Sequence, residues 1–176
     1  MSQYICVDIG GTSIKHGVLD ENAIIKECNQ TKTEAWLGGA AVLDKVKTIG
    51  KQYKEQYENI EGICISTAGM VDPEEGKIVF AGELMPDYTG TCIKKELEKA
   101  LEMPCEVEND VNCAGLAEYV SGSAKESHIM FCATVGTGIG GCAIVNGRVF
   151  HGASNSACEV GYIPMGDSDF QTLGAS

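Results

Sequence analysis

The start of the chain constrains its fold most, because a strand-like run enters a Gly-Gly turn and a second strand-like run follows. Residues 4–9 are apolar and β-favouring, and residues 14–19 resume that pattern after Gly10 and Gly11. Glycine tolerates positive φ and, having no Cβ, lets a ligand approach the backbone closely. Converging backbone N–H groups in such a turn bind anions, and Thr12 adds a hydroxyl donor. The pattern predicts a phosphate-binding turn with positive φ at its glycines.

Asp8 precedes this turn and places a carboxylate where a phosphate-bound Mg²⁺ would need an oxygen partner. An ordinary hairpin turn beside an acid explains the same residues. The G-x-G-x-x-G motif of dinucleotide-binding folds does not occur here. The turn alone therefore leaves the function open, and further motifs are needed to decide it.

The composition excludes several classes of protein. The chain has 25 acidic against 13 basic residues and a net charge of −12, which disfavours a nucleic-acid partner because phosphate-backbone binding needs clustered cations. No apolar run approaches the roughly 20 residues of a membrane span, and the N-terminus lacks a signal-peptide pattern. The nine cysteines are scattered and odd in number. Most of them lie in apolar runs, so we expect free, buried thiols in a reducing cytoplasm rather than a disulfide framework. No zinc-ligand spacing occurs.

The order of predicted elements is typical of an α/β protein. Three strands open the chain, and helices and strands then alternate up to a polar segment at residues 121–125, the best candidate for a hinge. Fresh strands follow at residues 129–135 and 139–145. We therefore predict an N-terminal α/β domain over residues 1–120 and the incomplete start of a second, similar domain over residues 121–176.

A second motif lies where a short strand ends on Asn109 and Asp110 and a helix begins. Both residue types are preferred helix N-caps, so the pair is explained by capping alone. The functional alternative is that Asp110, at the carboxyl end of a strand, accepts a proton from a substrate hydroxyl.

A third motif repeats the chemistry of the first, because a strand again enters a glycine turn with a threonine at its tip. Its residues are Gly136, Thr137, Gly138 and Gly140. Two glycine–threonine hairpins with a carboxylate between them in sequence form a combination that indicates function more specifically than any one of the three motifs. Phosphoryl transfer requires such parts: phosphate positioning, charge neutralisation and a base near the nucleophile.

With these motifs in this order, the chain resembles the ROK family of sugar kinases and repressors, within the actin-like ATPase (RNase H-like) superfamily. The segments that carry the resemblance are residues 8–15, 108–114, 136–141 and 152–161. By that resemblance, Asp110 is the general base that deprotonates a sugar 6-hydroxyl. Asp8 orients Mg²⁺ indirectly. The implied ATP-phosphate ligands are Asp8, Gly10, Gly11, Thr12, Lys15, Gly136, Thr137, Gly138 and Gly140. The implied sugar ligands are Gly69, Asn109, Asp110, Glu159 and Tyr162.

Two departures from the family pattern qualify this expectation. Tyr162 stands where the family usually has a histidine that contacts the sugar and ligates a structural zinc. Tyr162 can hydrogen-bond a sugar or simply pack, but it is a poor zinc ligand, and the cysteine-rich zinc loop is also missing; we predict no zinc site. The chain is also shorter than family members, so most of the second lobe, with the adenine pocket, is expected to be absent.

The leading hypothesis is therefore an ATP- and Mg²⁺-dependent kinase that phosphorylates glucose, a related hexose or a glucoside. The alternative is a ROK-like sugar-binding or regulatory protein, or a catalytically incomplete fragment of a kinase. No helix-turn-helix precedes residue 4, which disfavours the DNA-binding branch of the family. The expected partners are a small-molecule sugar and ATP, with no nucleic acid or membrane, and with a homodimer if the second lobe is present.

Overall fold

The computed structural model describes residues 1–136 and 138–164, which divide into two compact units on either side of the Asn109–Asp110 peptide. The strands are β1 Gln3–Ile9, β2 Ser13–Asp20, β3 Ile25–Lys32, β4 Ile60–Thr67, β5 Met70–Asp72, β6 Lys77–Phe80, β7 Cys105–Asn109, β8 Ile129–Val135, β9 Ile139–Val145 and β10 Arg148–Val149. The α-helices are α1 Gly39–Gln56, α2 Ile93–Leu101 and α3 Asp110–Ser121. Two 3₁₀ turns span Ala35–Leu37 and Val160–Tyr162. This mixture of strands and helices confirms the predicted α/β class.

The first unit is organised by a five-stranded sheet in the order β3-β2-β1-β4-β7. β1 to β3 form an antiparallel meander, whereas β1, β4 and β7 run parallel to one another. Parallel strands end at the same edge of a sheet. The carboxyl ends of β1, β4 and β7 therefore lie side by side, and the predicted site residues Asp8, Gly10, Gly69 and Asn109 lie at these ends or just beyond them. β5 and β6 form a separate antiparallel pair.

The core of the first unit lies on one face of this sheet. In β1 the side chains of Ile5, Val7 and Ile9 are buried, while the residues between them are only partly covered. That alternation follows from the two-residue period of a strand. The buried side chains of α1 and α2 join the same cluster, including Val46 and Leu97. Burying one such aliphatic side chain stabilises the fold by about 1.5–3 kcal/mol.

The second unit begins with α3, which packs against β8 and β9 of a three-stranded sheet in the order β10-β9-β8. The close approach depends on Gly115, where a Cβ would lie 2.6 Å from the Cys142 sulfur. The sequence placed this helix in the first domain, with a boundary after residue 120. That boundary stays a prediction, although the packing of α3 on β8 and β9 divides the chain eleven residues earlier, after Asn109.

The cysteines and the β3 strand differ from the sequence expectation. None of the nine cysteines, all of which lie in the described residues, forms a disulfide; Cys105 and Cys142 are buried, whereas Cys28 and Cys64 are exposed. Cys6 and Cys64 alternate with the core-facing residues of β1 and β4, so their apolar neighbours point to the other face of the sheet. The sequence predicts the third strand over residues 23–28, but β3 runs from Ile25 to Lys32 because its backbone continues to pair with β2 beyond Cys28. Among the described residues, no helix combines the length and apolar character needed to cross a bilayer.

Candidate active site

The first glycine turn connects β1 to β2, and hydrogen bonds from a buried threonine hold it in place. The Gly10 N–H donates to the Ser13 carbonyl at 3.1 Å, which closes the turn. Thr33 is fully buried; its hydroxyl donates to the Gly10 carbonyl at 2.6 Å and its N–H donates to the Thr12 carbonyl at 3.1 Å. Sequence reasoning missed Thr33, whose only signal is a polar residue immediately after a polar strand. Hydrogen bonds at the Gly10, Thr12 and Ser13 carbonyls and at the Gly10 N–H thus hold the turn in one shape.

The prediction of positive φ at this turn is wrong. Neither Gly10 nor Gly11 is among the glycines with positive φ. The described residues do not require glycine at Gly11, because a Cβ built there meets no atom within 4 Å and the residue is exposed. Thr12 and Lys15 are also exposed, with Lys15 paired in register to Asp8. A glycine that the fold does not require leaves its backbone accessible to a ligand.

Asp8 is held by a second residue that the sequence did not suggest. Asp8 pairs with Ser66 in the β1–β4 register, and the Ser66 hydroxyl donates to Asp8 Oδ1 at 2.7 Å. Both residues are half-buried. A carboxylate fixed in this way fits the oxygen ligand sphere that Mg²⁺ prefers, and it suits contact through the metal's water molecules.

The predicted sugar ligands Gly69 and Asn109 lie together at the carboxyl ends of β4 and β7. The Asn109 amide Nδ2 donates to the Gly69 carbonyl at 2.9 Å. Gly69 has a φ of +99°, and a Cβ there would lie 2.7 Å from the Phe80 carbonyl oxygen, so this position requires glycine. The loop is also fixed by the buried Thr67 hydroxyl, which lies 2.8 Å from the Tyr88 hydroxyl. Burial raises the pKa of Tyr88 to about 12.

In the second unit the structure brings Asp110 and Glu159 close together. Asp110 is the first residue of α3 and is exposed, and its Oδ1 accepts a hydrogen bond from the Val111 N–H at 2.9 Å. Glu159 is half-buried, and its pKa is raised first by burial and then by the negative charge of Asp110. The predicted base and a predicted sugar ligand therefore share one acidic environment.

The second glycine turn is described in part. The Gly136 N–H donates to the Gly138 carbonyl at 2.9 Å, and Thr137 lies outside the described residues. A Cβ on Gly140 would collide with Val111 of α3 and lie 3.0 Å from the hydroxyl of Thr134. Packing of β9 against α3 therefore accounts for glycine at residue 140, and its role in phosphate binding stays a prediction.

Tyr162 is exposed and lies in the 3₁₀ turn that follows Glu159. Its N–H donates to the Glu159 carbonyl at 3.2 Å, so the two predicted sugar ligands belong to one turn. Within residues 1–136 and 138–164, no three His, Cys, Asp or Glu side chains form a cluster that could hold a metal. The absence of a zinc site stays a prediction.

Sequence comparison finds similar proteins over nearly the whole chain. A sequence model of the ROK family matches residues 4–173. An uncharacterized protein from Clostridium perfringens is 49% identical over 176 residues, which is 100% of this chain and 59% of that protein. A beta-glucoside kinase from Listeria monocytogenes is 33% identical over 156 residues, which is 89% of this chain and 51% of the kinase.

Structural comparison gives the same result. The structure of a ROK family glucokinase from Streptomyces griseus, in complex with glucose and AMPPNP, superimposes with a TM-score of 0.84 and 30% sequence identity. The match covers 99% of this chain and 55% of that chain. The chain thus spans about half the length of the curated kinases it matches.

Proposed function

The chain belongs to the ROK family and has the actin-like α/β fold that its sequence predicted, and on that premise we propose that it acts in phosphoryl transfer from ATP to a sugar hydroxyl. The proposed acceptor is the 6-hydroxyl of glucose, of a related hexose or of a glucoside. The names of its relatives support this class of substrate, since they include a beta-glucoside kinase and a glucokinase bound to glucose and AMPPNP.

The observation that carries the proposal is the acidic pair formed by Asp110 and Glu159. Asp110 is exposed at the start of α3, where a substrate hydroxyl can reach it, and we assign it the role of general base. Helix capping by Asp110 does not explain why the half-buried Glu159 lies close enough for the Asp110 charge to raise the Glu159 pKa. Two carboxyl groups with different burial suit two roles, one accepting the hydroxyl proton and one hydrogen-bonding the sugar.

The phosphate-binding role is assigned to the first glycine turn. Its N–H groups and the Thr12 hydroxyl would contact phosphate oxygens, Lys15 would add positive charge, and Asp8 would orient the Mg²⁺ that accompanies ATP. The hydrogen bonds from Thr33 to the Gly10 carbonyl and from Ser66 to Asp8 support this assignment, because phosphoryl transfer depends mostly on how precisely the reacting groups are positioned. We assign the same role to Gly136, Thr137, Gly138 and Gly140.

The sugar-binding role is assigned to Gly69, Asn109, Glu159 and Tyr162. Discrimination between sugars requires hydrogen-bonding groups of fixed geometry, because an unpaired polar group in a closed site is costly. The Asn109–Gly69 hydrogen bond and the positive φ of Gly69 provide such rigidity. Tyr162 offers a hydroxyl in place of an imidazole, so we expect the preference for the acceptor sugar to depend on it.

The decisive experiment measures ADP release from Mg-ATP with a panel of hexoses and glucosides, using the 176-residue chain. Sugar-dependent ADP release that is lost in Asp110→Asn supports the proposal. Calorimetry with sugar alone separates the alternative: sugar binding without ADP release would identify a binding or regulatory protein. A chain that neither binds sugar nor releases ADP would contradict both functions.

A further inference from the structure

Two cysteines lie opposite each other on neighbouring central strands. Cys6 of β1 pairs with Cys64 of β4 in the parallel register, so both side chains project from the same face of the sheet. Adjacent strands are about 4.7–4.9 Å apart, which is within the Cα separation of about 4.4–6.8 Å that a disulfide spans. The backbone therefore holds the two Cα atoms within the separation that a disulfide spans.

The pair is accessible and chemically activated. Cys64 is exposed and Cys6 is half-buried, on the face opposite the buried residues of β1. A hydrogen bond from the Cys6 side chain lowers the pKa of Cys64 to about 7, and this effect exceeds the opposing effects of partial desolvation by neighbouring residues and of the Glu106 charge. The thiolate is the nucleophilic form of cysteine, so Cys64 is the reactive member of the pair.

We propose that Cys6 and Cys64 form a redox-active thiol pair that a hydroperoxide converts into a cross-strand disulfide. The Cys64 thiolate attacks one peroxide oxygen, the O–O bond breaks, and the departing oxygen leaves as an alcohol or water after protonation. The Cys6 sulfur then attacks the Cys64 sulfenic sulfur and releases water. In balance, two thiols and one hydroperoxide give one disulfide, one alcohol or water from the departing oxygen, and one water. An added dithiol then reduces the disulfide to the two thiols by exchange and is itself oxidised to a disulfide.

The same row of the sheet contains a natural control. Cys28 of β3 is exposed and lies on that row, but Gly17 of β2 separates it from Cys6. Two strand spacings place the Cα atoms about 10 Å apart, which is too far for a disulfide. Oxidation should therefore join Cys6 to Cys64 and leave Cys28 free.

The first test treats the reduced 176-residue chain with one equivalent of hydrogen peroxide, blocks the remaining thiols and digests with trypsin. The proposal expects residues 1–15 and 55–77 to be recovered as one disulfide-linked species that separates on reduction. Cys64→Ser must abolish that species, and Cys28→Ser must leave its yield unchanged. Recovery of the two peptides unlinked from the wild-type chain, or linkage through Cys28 instead, would overturn the proposal.

A second test measures the activation without relying on oxidation. The rate of Cys64 alkylation by iodoacetamide is followed against pH in the wild-type chain and in Cys6→Ala, with circular dichroism to verify that both are folded. Loss of the Cys6 donor should move the midpoint of the rate profile upward and slow alkylation at pH 7 about tenfold. An unchanged midpoint would remove Cys6 from the mechanism.

Discussion

The Ser66 hydroxyl donates a 2.7 Å hydrogen bond to Asp8 Oδ1 across the paired ends of β1 and β4. A carboxylate at the edge of a sheet has several accessible rotamers, and this bond selects one of them. Fixing the carboxylate before the nucleotide binds removes an ordering cost from the binding step. Ser66 thus positions Asp8 for the proposed role of orienting Mg²⁺.

We predict that Ser66→Ala weakens Mg-ATP binding while the chain remains folded. The lost hydrogen bond to a half-buried carboxylate should lower the free energy of unfolding by about 1–2 kcal/mol. Calorimetric titration with Mg-AMPPNP and urea unfolding measure the two effects. Thr48→Ala is the matched control, because the Thr48 hydroxyl bonds only its own helix at the Asp44 carbonyl and is exposed. Equal affinity in Ser66→Ala and Thr48→Ala would show that Ser66 does not position Asp8 for binding.

Asp110→Asn should lower kcat by about 10²–10⁴-fold with little change in sugar affinity. Asparagine has the same shape and is an equally good residue at a helix start, so capping is preserved and only the base is lost. Initial rates of ADP release and calorimetry with sugar measure the two quantities. Glu118→Gln, an acid at the other end of α3, should keep the wild-type kcat. Full activity in Asp110→Asn would reject the general-base assignment.

The parts of the fold that the sequence predicted best are apolar runs that are bounded by turn residues. β8 and β9 were predicted at their observed bounds, because apolar runs end on glycine turns at both strands. The start of α3 after Asn109 was also anticipated to within a residue. The sequence predicts a weak strand over residues 77–80, which is β6, but not its partner β5, since β5 has three residues and too little pattern to be detected.

The sequence predicted the candidate ligand residues of the site, but not the residues whose hydrogen bonds hold them in position. Asn109 and Gly69 were predicted as ligands from a resemblance, and the structure adds the hydrogen bond between them. Thr33 and Tyr88 were missed because their role arises from contacts with residues more than twenty positions away. Such contacts depend on strand order, which local pattern does not encode.

Gly69→Ala should destabilise the first unit. A φ of +99° and a Cβ 2.7 Å from the Phe80 carbonyl oxygen together should cost about 1–3 kcal/mol in the free energy of unfolding. Gly82→Ala is the control, because a Cβ there meets no atom within 4 Å and its φ is not positive. We expect that control to stay within about 0.5 kcal/mol of the wild type. Similar midpoints of urea unfolding for the two variants would contradict the strain at Gly69.

Gly11→Ala should separate binding from folding. The added methyl group meets no protein atom, and φ is not positive at Gly11, so the unfolding midpoint should match the wild type. In the proposed complex the methyl group would occupy space that a phosphate needs, and Mg-AMPPNP affinity should fall about tenfold or more. Unchanged affinity in a folded Gly11→Ala chain would exclude close approach of phosphate at this turn.

The raised pKa of Glu159 predicts a pH-dependent stability with a defined sign. Burial and the Asp110 charge disfavour the ionised carboxylate in the folded chain, so stability present below the ordinary value of 4.5 is lost as the pH rises through the folded pKa. Glu159→Gln cannot ionise and should therefore unfold at higher urea concentration than the wild type at pH 7, with the difference vanishing near pH 4. Glu118→Gln should show the opposite sign, because hydrogen bonds from Ser123 lower the pKa of Glu118. A wild-type chain more stable than Glu159→Gln at pH 7 would mean that the ionised carboxylate is stabilised by its surroundings.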